Sequence, residues 1–346
     1  MSVKQLTIPR PDDWHLHLRD GPMLAAVLPH TAARFARAIV MPNLNPPVTT
    51  TDAALAYRER ILAALPADAV FEPLMTLYLT DNTTPAEIER ARASGYVKAV
   101  KYYPAGATTN SDAGVTDIRR TDDALAAMAE AGLPLLVHGE VTDPDVDVFD
   151  RERVFIERLL GPLADRLPSL RIVLEHVTTA DGVRFVADGR EGLAATITPQ
   201  HLMLNRNALF EGGLRPHRYC LPVLKAEAHR QAVLDAALSG SPRFFLGTDS
   251  APHARHTKET DCGCAGIYSA HAGIELYAEA FDAAGCLERL EGFASRHGPA
   301  FYDLPVNAET LTLRREDWTP PASYPAGDDE LVPFRRGEKI RWAIAA

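Results

Sequence analysis

Two histidines stand two residues apart in Asp12-Asp13-Trp14-His15-Leu16-His17-Leu18-Arg19-Asp20. In a strand, side chains i and i+2 leave the backbone on the same side. The imidazoles of His15 and His17 then face one point, which suits a divalent metal. Arg19 continues the alternation and sets a fixed positive charge nearby. The pair alone is equally compatible with two surface histidines. What tips the balance is that other metal-ligating or reactive side chains end later strand-like runs: Lys101, His138, His176 and Asp249. Any one of these, alone, reads better as a satisfied core residue. Hits at five separate strand ends are hard to assign to chance.

The elements that must position these residues alternate regularly. Strand-like runs are expected at 13–18, 37–42, 71–79, 97–102, 133–138, 170–176, 193–198 and 243–249. Amphipathic stretches fall between them, at 22–37, 51–65, 85–94, 121–131, 151–160, 180–187 and 225–238, with an eighth at 268–283. Pro22 fits a helix start, Thr51 or Asp52 fits an N-cap, and Gly95 and Gly132 fit helix ends. Residues 104–114 have neither period and read as an exposed loop of small and hydroxyl side chains. Eight βα units over about 250 residues match an α/β fold of the (β/α)8, or TIM, barrel type. A doubly wound sheet would want a glycine-rich turn after the first strand, and none is present. Residues 287–346 add one helix and Pro-rich, strand-like pieces, expected to be a C-terminal extension packed on a single barrel domain. In a barrel the strand C-termini meet on one face, so the five strand ends converge there.

Four histidines and one aspartate are many for one metal and suit two. Two metals about 3.5 to 4 Å apart need a bridging ligand. No carboxylate stands at the fourth strand end, where Lys101 is found. An ammonium beside two cations is repelled. A deprotonated lysine that has taken up carbon dioxide is a carbamate, anionic and with two oxygens, and that species could bridge. The plain alternative is a snorkelling or paired lysine, for example with Glu140.

Composition narrows the partners. The chain has 346 residues, 46% of them hydrophobic, enough for one large core or two smaller ones. A formal net charge of −10 argues against nucleic acid or an anionic membrane as the main partner. The first nine residues lack the apolar core of a signal peptide, and no apolar run is long enough to span a bilayer. Four cysteines form no disulfide framework, so a reducing cytoplasm is the expected location.

Several motifs carry a family resemblance: Asp13-Trp14-His15-Leu16-His17-Leu18-Arg19, Met41-Pro42-Asn43, Val100-Lys101-Tyr102-Tyr103-Pro104, Leu136-Val137-His138-Gly139-Glu140, Leu174-Glu175-His176 and Gly247-Thr248-Asp249-Ser250-Ala251-Pro252-His253. Together they resemble the amidohydrolase superfamily and, more closely, its dihydroorotases of the short bacterial-type class (class II). The resemblance runs in order over nearly the whole chain, with no departure at any metal-ligand position. It implies two zinc ions per subunit. His15 and His17 would hold one, with Asp249 as an added ligand, and His138 and His176 the other. Lys101, as N6-carboxylysine, would bridge them together with a hydroxide, and Asp249 would move the proton. Arg19, Asn43 and His253 would bind the substrate carboxylate, with His17 and His138 also at the substrate. Backbone groups of Leu221 and Ala265 would hold the ring edge, and Thr108 and Thr109 would sit on a mobile lid. The implied reaction is the reversible cyclisation of N-carbamoyl-L-aspartate to L-dihydroorotate in pyrimidine biosynthesis, by a homodimer.

Rivals are other cyclic amidases, such as a hydantoinase or allantoinase. These usually carry a β-rich flanking domain, with many residues before the His-x-His pair; fourteen precede His15 here. A deaminase-type member would lack the lysine, and a metal-free paralogue would have lost ligands. Cys262-Gly263-Cys264 is short for a structural zinc site and finds no second pair of fitting spacing with Cys220 or Cys286. His256, with these cysteines, could suggest an accessory metal for the same weak reason; His30, His201, His217, His229, His271 and His297 lie away from the strand ends and are expected to be structural or solvated. Glu140 and Glu175 neighbour the metal histidines as candidate outer groups rather than ligands, and Tyr103 is as suited to packing as to lining the pocket.

Overall fold

The structure is a computed structural model, describing residues 3–345. Among the described residues, thirteen strands run β1 (Gln5–Pro9), β2 (Asp12–Leu16), β3 (Arg37–Val40), β4 (Glu72–Tyr78), β5 (Val97–Tyr102), β6 (Leu135–Val137), β7 (Ile172–Leu174), β8 (Leu193–Ile197), β9 (Phe244–Leu246), β10 (Thr310–Arg314), β11 (Tyr324–Ala326), β12 (Asp329–Leu331) and β13 (Ala343–Ile344). β2 to β9 form one parallel sheet in sequential order. Beyond their ends, His17 N–H donates to Ser250 O (3.1 Å) and Asp249 N–H to His15 O (2.9 Å), which closes the barrel. Closure puts the first and last strand ends, with their candidate ligands, side by side. Helices α1 (Gly21–Arg34), α2 (Thr51–Ala63), α3 (Pro85–Ala93), α4 (Asp122–Ala131), α5 (Arg151–Phe155), α6 (Gly161–Arg166), α7 (Ala180–Ala187), α8 (Pro199–Met203), α9 (Glu227–Leu238), α10 (Arg255–Lys258), α11 (Gly273–Ala283) and α12 (His297–Phe301) complete the chain.

Each barrel strand sends one side chain to a common interior cluster: Trp14, Ile39, Leu74, Ala99, Leu136, Val173, Ala194 and Phe245. That layer fills the barrel, so it is a packed core and not a pore. Trp14 stacks on Tyr302 at 4.5 Å, and a Cβ at Gly298 would meet the Trp14 ring at 1.9 Å. The turn at α12 thus plugs the end of the barrel opposite the strand C-termini. Alternate side chains, such as Val40, Leu77, Leu135 and Ile197, join the second cluster between strands and helices.

Several local outcomes differ from expectation. Thr50, not Thr51 or Asp52, caps α2, because its hydroxyl accepts from Ala53 N–H. β6 starts at Leu135 rather than 133, since Pro134 has no amide to pair and Leu133 N–H closes α4. The helix expected at 151–160 continues to Arg166 through a π turn at Ile156–Leu160. Pro162 sits in the next turn and cannot donate to the carbonyl four residues back, which favours the wider turn there. The chain's opening residues, read only for what they lack, form β1. It pairs antiparallel with β10, Gln5 opposite Arg314, and β13 adds a third strand. No helix among the described residues is long and apolar enough to cross a membrane.

Candidate active site

The interior row continues upward at a period of two. Ala99 leads to Lys101, Leu136 to His138 and Val173 to Glu175. His176 is out of phase with this row. It reaches the interior because its φ is 41°, a left-handed conformation that turns the chain at the strand end. Arg19 (φ 59°) and Asp249 (φ 44°) turn in the same way. Three non-glycine residues in that region at one barrel mouth mark a site where local strain is retained. On β2 the pairing register shifts between Asp13 and Leu16. Asp13 lies beneath the site and accepts from Thr248 N–H, Thr248 Oγ1 and His15 N–H. It thereby ties β2 to the Gly247-Thr248-Asp249 run. Gly247 has no room for a side chain: a Cβ would lie 2.7 Å from Thr196 and 3.1 Å from His15.

The candidate ligands converge. His15 Nε2 lies 3.3 Å from His17 Nε2, and Asp249 Oδ1 is 3.3 and 3.2 Å from the two nitrogens. A second group joins His15, Glu175 and His176, with His15 Nδ1 3.1 Å from Glu175 Oε1. The His176 ring packs 5.1 Å from His15 and 4.8 Å from His138. His138 Nε2 is 2.8 Å from Glu140 Oε2, which holds its nitrogen apart from the two tighter groups. Lys101 pairs with Glu175, not with Glu140, and its Nζ lies 4.8 Å over the Tyr103 ring. All of these side chains are buried. Glu175 is thus more central than its sequence position beside His176 suggested; the period-two count from Val173 is the signal that finds it.

Burial disfavours the charged form of His17 and His176, and the neutral ring is the form that ligates metal. Burial pushes His17 down to about 4 and His176 well below the usual histidine range. Burial also lowers Lys101, against the opposing pull of Glu175. Burial alone would raise Asp249, but His15 and His17 outweigh it and hold the carboxyl down at about 2. Imidazole nitrogens and an ionised carboxylate around one point are a donor set that zinc accepts.

Beside this group lies a polar wall. Arg19 Nη2 is 3.1 Å from His253 Nε2, and Arg19 Nε donates to Pro252 O. Asn43 Oδ1 is 2.8 Å from His17 Nδ1, while Asn43 Nδ2 donates to Thr109 O. Thr109 Oγ1 donates to Ala265 O at 3.4 Å, so the 104–114 loop spans the mouth. That loop is less exposed than expected. Ala107 and Ser111 are buried, and the Ser111 hydroxyl links Thr108 N–H to Thr108 O. His17, Arg19, Asn43, Tyr103, Thr108, Thr109, His138, His176, Leu221, Asp249 and Ala265 line a cavity of about 20 Å³. That is room for a single water. The histidines set aside from the sequence lie elsewhere: His201 sits 3.0 Å from Pro222 O, His297 3.1 Å from Phe244 O and His256 2.8 Å from Asp329. All four cysteines are free thiols.

Comparison with known proteins agrees with this geometry. Residues 12–304 match the amidohydrolase family. A dihydroorotase of Cupriavidus necator is 68% identical over 98% of this chain and 99% of its own. Among solved structures, a dihydroorotase of Saccharomyces cerevisiae in complex with 5-fluoroorotic acid superposes with a TM-score of 0.92 at 33% identity, over 99% of both chains. A Campylobacter jejuni dihydroorotase gives 0.91 at 35% identity, over 100% of this chain and 99% of that one. The chain belongs to the amidohydrolase family and, within it, to the dihydroorotases.

Proposed function

We propose that this protein is a zinc-dependent dihydroorotase, catalysing the reversible cyclisation of N-carbamoyl-L-aspartate to L-dihydroorotate, the third step of de novo pyrimidine biosynthesis. The observation that carries this reading is the pairing of a metal-type donor set with a carboxylate-type wall in one closed cavity. His15, His17 and Asp249 would hold one zinc and His138 and His176 the other. Lys101 would bridge them as its carbamate, together with a hydroxide. Carbamate formation joins the neutral Lys101 nitrogen to the carbon of carbon dioxide and releases one proton. Glu175, paired with that nitrogen, is the nearest base to take it. When bound, the metals lower the pKa of water and polarise a carbonyl.

The rest of the work falls to the chain's own side chains. The Arg19 guanidinium, with His253 and Asn43 beside it, offers donors to a substrate carboxylate. The S. cerevisiae relative was solved with 5-fluoroorotic acid, itself a ring that carries a carboxylate. Backbone groups of Leu221 and Ala265 would hold the ring edge. Asp249 is ionised, so it can take a proton from the attacking oxygen and return it to the departing amide nitrogen. A substrate does not fit in about 20 Å³, so the Thr108–Thr109 loop must open to admit it and close to exclude water. From the family resemblance we also infer a cytoplasmic homodimer, which light scattering at the mass of two chains would support.

The deciding test is ring opening by zinc-loaded protein, with L-dihydroorotate, hydantoin and allantoin side by side. Turnover confined to dihydroorotate is expected. Turnover of hydantoin or allantoin instead would keep the metal site and discard the pyrimidine assignment.

A further inference from the structure

Behind the Leu221–Ala265 wall lies a buried cation that the chemistry above does not use. Lys258, the last residue of α10, is 4% exposed and forms no ion pair among the described residues. Its ammonium donates instead to three backbone carbonyls: Tyr219 O at 3.2 Å, Cys264 O at 2.8 Å and Gly266 O at 2.6 Å. Three protons meet three acceptors, so the hydrogen-bonding capacity of the group is used in full. A buried charge without a counter-ion is costly. A hydrophobic side chain would hold a loop at lower cost, so this arrangement points to a need for exact backbone placement.

The carbonyls belong to two segments, 219–223 and 264–267, whose other faces line the cavity through Leu221, Ala265 and Gly266. Neighbouring carbonyls are tied away as well. His201 Nε2 takes Pro222 O at 3.0 Å and Lys225 Nζ takes Val223 O at 2.9 Å. Among the described residues, the amide and carbonyl of Leu221 and the amide of Ala265 find no partner in the protein. They are left for whatever enters the cavity. Gly266, at φ 152°, is drawn against Ala251 so closely that a Cβ would lie 2.6 Å from its carbonyl oxygen. The lid reaches the same segment through Thr109 and Ala265.

We propose that Lys258 is a positioning residue for substrate: its ammonium clamps these two segments so that Leu221 and Ala265 present free backbone groups to the substrate ring. This rests on reading the cavity as the dihydroorotate site. The test uses metal-loaded full-length Lys258→Met and Lys258→Arg, with steady-state kinetics on L-dihydroorotate, metal content and hydrogen–deuterium exchange. Loss of the clamp should raise KM about tenfold or more, keep kcat within about threefold and leave metal content unchanged, because it weakens binding and spares the reacting groups. Lys258→Arg, which keeps charge and donors, should recover most of that loss. Amide exchange should quicken in 219–223 and 264–267 and nowhere else. An unchanged KM in folded Lys258→Met, or a fall in kcat alone, overturns the proposal. If the methionine variant does not fold, Lys258→Gln is measured under the same criteria. If the wild-type protein does not open dihydroorotate, the functional reading fails first. The clamp then stands or falls on exchange: local quickening upholds it and no change refutes it.

Discussion

Two clusters of buried or half-buried histidine stand out among the described residues, and only one is built for chemistry. At the barrel mouth, His15, His17, His138 and His176 surround Asp249, Glu175 and Lys101. On the flank, under the tail, His30 and His271 sit among aromatic rings. The His30 ring is 4.5 Å from Tyr324, and His271 lies 5.5 Å from Tyr268, 5.8 Å from Tyr324 and 6.4 Å from Trp318. Burial holds His17 and His176 at the mouth, and His30 and His271 on the flank, below the usual histidine range, His30 at about 4 and His271 well below. Neutral buried imidazole is therefore not what distinguishes a site. The difference lies in the carboxylates. Asp249 points at two ring nitrogens, whereas Glu275 on the flank is consumed by Arg34, which donates three hydrogen bonds of 2.7 to 3.0 Å. The mouth keeps charge aimed at an open point, and the flank cancels it.

That contrast breaks most sharply at Lys101. Lys101→Ala should cut turnover about a thousandfold or more, since the effects of a bridged metal pair are worth several kcal/mol. Metal analysis should show the loss of bound zinc, and full activity in that variant would sink the carbamate bridge. The flank should answer in stability instead. Glu275→Ala strands the Arg34 charge and should cost about 3 kcal/mol in denaturant unfolding while kcat stays within about twofold. A stable variant, or one with a damaged active site, would erase the distinction between the clusters.

Smaller effects sharpen it. Arg19→Ala should raise KM about a hundredfold with a lesser effect on kcat, because a charge-assisted contact to the substrate carboxylate is lost. An unchanged KM would remove Arg19 from the carboxylate site. Deleting Thr108 and Thr109 should lower turnover about tenfold and leave metal bound; loss of metal would make the loop structural. The least effect is expected from acid. His30 and His271 bind protons less readily folded than unfolded, so the unfolded chain takes up protons first as pH drops below about 6.5. Stability is then lost on acidification towards pH 4 and is fully present above pH 7. His30→Gln should reduce that loss by less than about 1 kcal/mol, as His30 is only partly buried. A steeper acid loss in His30→Gln would contradict the sign.

Periodicity made most of the barrel and much of the mouth legible. The i, i+2 rule brings His15 and His17 together, and the alternation of βα units brings Lys101, His138 and Asp249 to one face. The same rule, applied strictly, selects Glu175 over His176. Only the left-handed turn at His176 restores that histidine to the interior, and such a turn has no signature in a non-glycine residue. The 104–114 loop looked exposed because its composition is polar, yet Ser111 is buried with its hydroxyl bonded to the Thr108 backbone. Lys258 gave no signal at all: one lysine at the end of a four-residue helix has no period to betray it, and its partners are carbonyls common to every residue. β1 was equally silent, since its edge is complemented some 300 positions downstream.

That last pairing bears on the order in which the site comes into being. The backbone just ahead of His15 and His17 is gripped by late-made chain: Arg10 N–H meets Glu309 O, and the Asn307 side chain reaches both Arg10 O and Asp12. A ribosome adding about 5 to 20 residues per second needs roughly 15 to 60 s to travel from one partner to the other. Throughout that interval β2 can pair with β3, but the contacts that fix the chain ahead of it are still missing. The barrel is therefore completed only once chain made at both ends of synthesis is present together, Arg10 and Asp12 waiting for Asn307 and Glu309.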